Sequence, residues 1–485
     1  MVRVTAPHQV PPVPPADLPG TLGALRAAGH GYKTVKQELR DNLLARMRAG
    51  GDRFPGIVGY DDTVLPEVER ALLAGHDMVL LGERGQGKTR LIRSLVALLD
   101  EWTPVIEGSA INEHPMRPLT PASRALVAEA GDDLPVGWLH RSMRYGEKLA
   151  TPDTSVGDLV GDVDPIRLAQ GRTLGDPETI HFGLVPRTNR GIFAVNELPD
   201  LAERIQVALL NVLEERDIQV RGYQLRLPLD LLLVASANPE DYTNRGRIIT
   251  PLKDRFGAEI RTHYPVDLDL ELALIRQEAD LVADVPEHVL EVLARFARAV
   301  RESPSVDPRS GVSARFAIAA AETVAAAALR RSGLLAAGTD EARPEAPVAR
   351  VGDAVSVTST LRGKVEFESG EEGREVEILA HLLRTATAET FRARLAGLDL
   401  SGFTSLVGEG TVIETGELVS SAELLRQVGT VPGLAKALDR LGLGDAPTPE
   451  EAAAGVEFVL EGLHLTRRLG KDVTESGRTV YGGRS

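Results

Sequence analysis

The chain has 485 residues, too many for one hydrophobic core, so two or three domains are expected. Its 43% hydrophobic and 26% charged content is that of an ordinary globular protein, and with only 4% aromatics the cores must be aliphatic. An excess of 70 acidic over 55 basic side chains argues against a nonspecific nucleic-acid grip, and the absence of cysteine excludes disulfides, thiolate metal sites and cysteine nucleophiles.

Residues 1–20 are proline-rich, which breaks the apolar core a secretory signal needs and predicts an extended segment. No apolar run reaches the roughly 18–20 residues of a membrane helix, so a cytoplasmic chain with no membrane partner is expected. Leu22, Leu25, Val35, Leu39, Leu43 and Met47 predict one or two amphipathic helices before Gly50-Gly51. A further helix is expected over 64–74, and Met78–Leu81 reads as a buried parallel strand. A helical pattern over Thr89–Leu99 follows a glycine-rich turn. The polar, proline-interrupted stretch 103–190 offers only a strand near Val105 and a helix over Ala122–Ala130. Short apolar strands recur at Ile192–Val195 and Leu229–Ala235, with a helix over Leu201–Glu215 between them. That alternation predicts a parallel α/β sheet. Helices are predicted over Asp267–Ala283, Glu287–Val300 and Ala314–Arg330, then a linker at 336–351 and further helices from Gly370 to Leu469. The last dozen residues read as loose.

The strongest motif is Gly82-Glu83-Arg84-Gly85-Gln86-Gly87-Lys88-Thr89, a P-loop pattern between a predicted strand and a predicted helix. Its glycines let backbone N–H groups wrap phosphates, Lys88 supplies positive charge to the β- and γ-phosphates, and the Thr89 hydroxyl can ligate Mg²⁺. The strand Gly191–Val195 ends in Asn196 and Glu197. In P-loop ATPases this position normally reads Asp-Glu, the Asp fixing a metal-bound water and the Glu polarising the attacking water. Asn196 retains a carbonyl oxygen for the metal side but lacks the charge, while Glu197 keeps the place of the base. The strand Leu231–Ala235 runs on to Asn238-Pro239. The ten histidines show no H-x-x-x-H or H-E-x-x-H spacing, which argues against a protein-built transition-metal site.

In this order the motifs resemble the AAA+ ATPases. The resemblance makes Asn238 the first sensor, which can orient the lytic water or contact the γ-phosphate. It makes Arg255, in Pro251–Phe256, the arginine that reaches a neighbouring subunit's γ-phosphate, with Arg245 and Arg247 as alternatives. It makes Arg315, in Gly311–Phe316, the lid arginine. Closer still is the magnesium-chelatase I subunit and MoxR-like group. Phe54–Tyr60, Val156–Asp164 with Phe182–Val185, Asn189–Ile192 and Pro251–Gly257 all resemble segments of that group, covering about residues 51–330. Asn196 and the long C-terminal region depart from it.

The resemblance implies a P-loop AAA+ parallel-sheet core over 51–265 after an N-terminal segment, 1–50. A helical lid over 266–335, the linker 336–351 and a helical C-terminal domain over 352–485 complete the expected chain. It also implies ATP and Mg²⁺ as cofactors, a hexameric ring of identical subunits, and a von Willebrand factor A domain protein as partner. A true chelatase subunit driving Mg²⁺ into protoporphyrin, and a nucleotide-gated scaffold with little turnover, remain the alternative readings.

Overall fold

The structure is a computed structural model that describes residues 12–482, apart from 165–178, 215–216, 221–222, 239–246, 308–310, 337–344, 409–411 and 475–477. The chain divides into two compact units, Met1–His263 and Tyr264–Ser485.

In chain order the strands of the first unit are β1 (Met78–Leu81), β2 (Trp102–Ile106), β3 (Val136–His140), β4 (Tyr145–Leu149), β5 (Gly161–Val163) and β6 (Ile180–Phe182). β7 (Gly191–Asn196), β8 (Asp217–Val220), β9 (Tyr223–Arg226), β10 (Leu231–Ala237) and β11 (Ala258–Arg261) follow. Five of them form one parallel sheet in the order β11-β1-β10-β7-β4, the α/β core expected from the sequence. β2–β3, β5–β6 and β8–β9 are antiparallel pairs beside it. The three central strands are those legible as apolar runs; the edge strands β4 and β11 are not.

Side chains alternate across a sheet, and here the two faces bury against different partners. Met78, Leu80, Ile192, Ala194, Leu232 and Val234 pack with the helices Val35–Ala49, Val64–Ala74 and Lys88–Ser94. Val79, Leu81, Phe193, Val195, Leu233 and Ala235 pack with the helix Glu203–Glu214. The helix Val35–Ala49 starts at a capping box, Thr34 with Gln37, and stops at Gly50, whose φ of 65° suits a residue without Cβ. Its buried Glu38 takes a bidentate pair from Arg144 at 2.6 and 2.7 Å. Arg144 is wholly buried and also donates to the Arg190 carbonyl at 2.7 Å.

In the second unit the helices Leu268–Glu278, Glu287–Glu302, Ala314–Ala336, Glu375–Leu395 and Pro449–Leu465 share one core, running from Leu272 to Tyr481. The helices of the expected lid and of the C-terminal region thus bury their apolar faces together. A small antiparallel sheet that the sequence does not announce joins them: β12 (Ile413–Thr415), β13 (Gly470–Val473) and β14 (Thr479–Gly482), in the order β12-β14-β13. The tail expected to be loose holds β14, where buried Tyr481 donates to Glu461 at 2.5 Å. Among the described residues no helix is long and apolar enough to cross a membrane.

His288 is fully buried against Phe458, with ring centroids 4.9 Å apart. Burial, assisted by the nearby Arg394 charge, pushes its pKa down to about 3. The unfolded chain therefore takes up a proton, near the ordinary imidazole value of about 6.5, that the folded chain refuses. Stability is full above that value and falls as pH drops from it toward 3, by about 1.4 kcal/mol per pH unit for this one group. We expect His288→Leu to flatten that slope between pH 6.5 and 5 when denaturant unfolding is followed at each pH. Parallel slopes in both proteins would show that His288 does not govern the acid limb.

Candidate functional site

The site begins where β1 ends. Gly85 and Gly87 have φ of 76° and 77°, the left-handed region that glycine enters without strain, which allows the tight loop from Gly82 into the helix Lys88–Ser94. Gly82 is fixed by space instead: a Cβ there would lie 2.0 Å from Thr262 Oγ1 and 2.2 Å from Gln86 Oε1. Those two side chains bond each other at 2.8 Å and brace the loop against the end of β11. Glu83 is half-buried and Arg84 exposed on the loop's outer turn. A cleft of about 380 Å³ lies beside the loop, lined by Gly82, Glu83, Gln86, Lys253, Arg261 and Thr262.

The buried Lys88 ammonium donates to the carbonyls of Gly82 and Glu83, the latter at 2.7 Å, and to Asn238 Oδ1 at 2.9 Å. The P-loop lysine and the amide at the end of β10 are therefore direct neighbours. Thr89 Oγ1 donates to Asn196 Oδ1 over 3.4 Å, and Ser236 Oγ donates to the same oxygen at 3.1 Å. Ser236 also accepts from the Glu197 backbone N–H at 3.3 Å. Glu197 sits at φ 56°, a conformation a non-glycine residue adopts at a cost of about 1–3 kcal/mol and one frequent at functional turns. That turn takes Glu197 out of the strand's alternation and leaves it half-exposed.

The two predicted arginines belong to other elements. Arg255, at the end of the helix Thr250–Arg255, is exposed and ion-paired with Glu214. Arg315 is exposed near the start of the helix Ala314–Ala336 in the second unit. Arg247 is exposed, and Arg245 falls outside the described residues.

Sequence reasoning missed Tyr60, Glu147, Ser236 and Thr262. Tyr60 donates to the Gln86 carbonyl and to the His263 carbonyl at 3.0 Å, and burial pushes its pKa up to about 12. Arg90 ties the same segment to the P-loop helix through the Gly56 carbonyl at 2.9 Å. Phe54–Tyr60 is thus the strap behind the loop, and an aromatic hydroxyl at its end was the available signal. Glu147 on β4 accepts from Asn196 Nδ2 at 2.6 Å; nothing in Tyr145–Leu149 marked it.

Among the described residues no cluster of three or more His, Cys, Asp or Glu could hold a metal. The donor set that does fit a hard cation is the Thr89 hydroxyl beside the Asn196 amide oxygen, two neutral oxygens of the kind Mg²⁺ accepts when phosphates supply the charge.

A P-loop after β1, with parallel strands in the order β11-β1-β10-β7-β4, gives the first unit the P-loop α/β core that the resemblance to AAA+ ATPases implies. The chain is similar to magnesium-chelatase I subunits. It is 30% identical over 241 residues to the magnesium-chelatase 38 kDa subunit of Cereibacter sphaeroides, covering 48% of this chain and 64% of that one. It is 30% identical over 236 residues to the magnesium-chelatase subunit ChlI of Guillardia theta, covering 47% and 62%. To the chloroplastic subunit ChlI-1 of Arabidopsis thaliana it is 29% identical, covering 47% and 51%. The chain spans less than two thirds of the length of these curated relatives. No protein-family model matches it. A solved complex between subunits BchI and BchD of magnesium chelatase aligns at 23% identity with a TM-score of 0.35, covering 67% of this chain and 98% of that one, a score too low to bear on the fold.

Tyr60→Phe removes the hydroxyl that holds the Gln86 carbonyl without changing the ring. The expected cost is about 1 kcal/mol of stability with a two- to fivefold loss of ATP affinity, roughly one net hydrogen bond. Thermal unfolding and nucleotide titration check it. A stability loss with unchanged affinity would show that the strap does not shape the loop.

Proposed function

We propose that this chain is a Mg²⁺-dependent ATP-hydrolysing motor of the chelatase and MoxR-like type, working in the cytoplasm as a ring and remodelling or activating a partner protein. The observation that carries the reading is the convergence of Lys88, Thr89, Asn196, Glu197 and Asn238 on one edge of the parallel sheet. In this reading Lys88 exchanges its loop carbonyls for β- and γ-phosphate oxygens, and Thr89 with Asn196 faces the metal. Bound Mg²⁺ offsets charge on the phosphate oxygens. Glu197, held at a strained turn, orients and deprotonates the attacking water. Asn238, already bonded to Lys88, contacts the same phosphate end.

The ring, six subunits by analogy, would bring Arg255 to a neighbour's phosphate once it leaves Glu214, with Arg315 as the lid arginine. A partner with a von Willebrand factor A domain fits the MoxR-like reading. Similarity to the chelatase 38 kDa subunits supports a second reading, an ATPase subunit that drives Mg²⁺ insertion into protoporphyrin. Asn196 supports a third, a scaffold that binds ATP with little turnover.

Turnover separates the third reading from the others. Lys88→Ala should show no measurable ATP binding, whereas Glu197→Gln should bind ATP normally and lose about 10²–10⁴-fold in turnover, the span expected for a general base. A wild-type protein that binds ATP but does not turn it over, alone or with partner, favours the scaffold. Arg255→Ala mixed with Lys88→Ala should recover activity in mixed rings, since an intact P-loop can then face an intact arginine. Hetero-oligomers without recovered activity would remove Arg255 from the subunit boundary.

A further inference from the structure

Asn196 stands where the resemblance expects a carboxylate, and the nearest carboxylate is one strand away. β4 pairs with β7 so that Glu147 lies opposite Ala194 and Leu149 opposite Asn196. By alternation Glu147 and Asn196 project from the same face, the one covered by the helix Lys88–Ser94. Four donors converge on the Glu147 carboxylate. Oε1 accepts from Asn196 Nδ2 at 2.6 Å and Arg93 Nη2 at 3.0 Å, and Oε2 accepts from Arg93 Nε at 2.8 Å and the Tyr145 hydroxyl at 2.9 Å.

An amide has one donating and one accepting end, and a carboxylate only accepts. The Asn196 amide turned the other way would place its oxygen 2.6 Å from a carboxylate oxygen. With Nδ2 committed to Glu147, Oδ1 must face the hydroxyls of Thr89 and Ser236. We infer that Glu147 is a positioning residue of the nucleotide site, which fixes the Asn196 amide with its oxygen toward the metal side and supplies from β4 the negative charge absent at position 196. The bidentate Arg93 pair keeps the carboxylate in place, so Glu147 acts through Asn196 and is not itself a ligand. The inference rests on the Mg²⁺-ATP reading of the site.

It has a consequence opposite to simple repair. Asn196→Asp would restore the expected strand end but set two carboxylates within hydrogen-bonding distance with no proton between them, a repulsive pair. Glu147→Gln combined with Asn196→Asp keeps the total charge and gives the new carboxylate an amide donor. The swap should therefore rescue what the single change damages.

The test uses the full chain with a fluorescent ATP analogue, titrated with and without Mg²⁺, together with thermal unfolding in the absence of nucleotide. Wild type is expected to bind more tightly with Mg²⁺. Asn196→Asp should lower the melting temperature by about 5 °C and cut the Mg²⁺-dependent gain in affinity about tenfold, typical sizes for two groups in direct contact. Glu147→Gln should reduce the Mg²⁺-dependent gain while leaving Mg²⁺-free binding within about twofold, because an uncharged acceptor still holds the amide. The double variant should recover both quantities to near wild type. If wild type binds no ATP, the Mg²⁺-ATP reading itself fails. If wild type binds Mg²⁺-ATP and Asn196→Asp matches or exceeds it in both measurements, or the double variant is no better than the worse single, the role of Glu147 is overturned while that reading stands.

Discussion

Everything at the nucleotide site depends on parallel register. Leu81 pairs with Ala237, Ala235 with Val195, and Asn196 with Leu149, so β1, β10, β7 and β4 run out at the same edge. Strands in a parallel sheet that stop together deliver their following residues to one place, and here those residues are the P-loop, Asn238 and Glu197. Alternation then sorts the side chains. Ser236 and Asn196 fall on the face covered by the P-loop helix, which is why Thr89, Ser236 and Asn196 can bond in a row. A one-residue slip of β7 would point Val195 at Thr89 and bury Asn196 on the face packed by the helix Glu203–Glu214.

The same register explains what could be read from the sequence. β1, β7 and β10 are covered on both faces, so they appear as unbroken apolar runs, and the P-loop spacing announces itself. β4 lies at the edge, with Tyr145 and Glu147 engaged by hydrogen bonds and no apolar run to betray it. Asn196 was legible as a departure from a pattern, but Glu147 was not, because the contact between them spans 49 residues of chain and needs the sheet to exist. The small sheet of the second unit was illegible for a related reason. Gly470–Val473 and Thr479–Gly482 show no apolar alternation to mark them; they are strands through the pairing of β13 and β12 with β14, where buried Tyr481 meets Glu461 and Lys471.

Charge in this protein is often structural. Arg144, Glu38 and Arg190 would be assigned to the surface from composition, yet all three are buried around the start of β7. Arg190 is at φ 62° and donates to the Pro104 carbonyl and to Thr103, both at 2.5 Å, and burial lowers its pKa to about 10. Removing one partner of such a group leaves an uncompensated buried charge, a loss of about 3–5 kcal/mol, whereas the intact pair adds little net stability. These pairs fix where β7 begins. Gly191 contributes to the same end, since a Cβ there would meet the Arg144 carbonyl at 2.0 Å.

The start and the end of β7 are thus both held by polar contacts, and on the proposed function the end is the one that faces nucleotide. Ser236 touches Asn196 through its hydroxyl and receives the Glu197 N–H, so a single side chain on β10 links the Asn196 amide to the turn that carries Glu197. Asn238, two residues on, touches Lys88. If Lys88 moves toward phosphate as proposed, Asn238 is the first partner affected, and β10 joins it covalently to Ser236, which reaches Glu197 through a hydrogen bond. On the proposed reading, the amide next to Lys88 and the hydroxyl that holds the Glu197 turn both come from the β10 segment. An amide at position 196 is compatible with such a site. An Asn196 oriented by Glu147 offers the Ser236 hydroxyl an acceptor in one fixed direction, where an unpaired carboxylate could offer either oxygen.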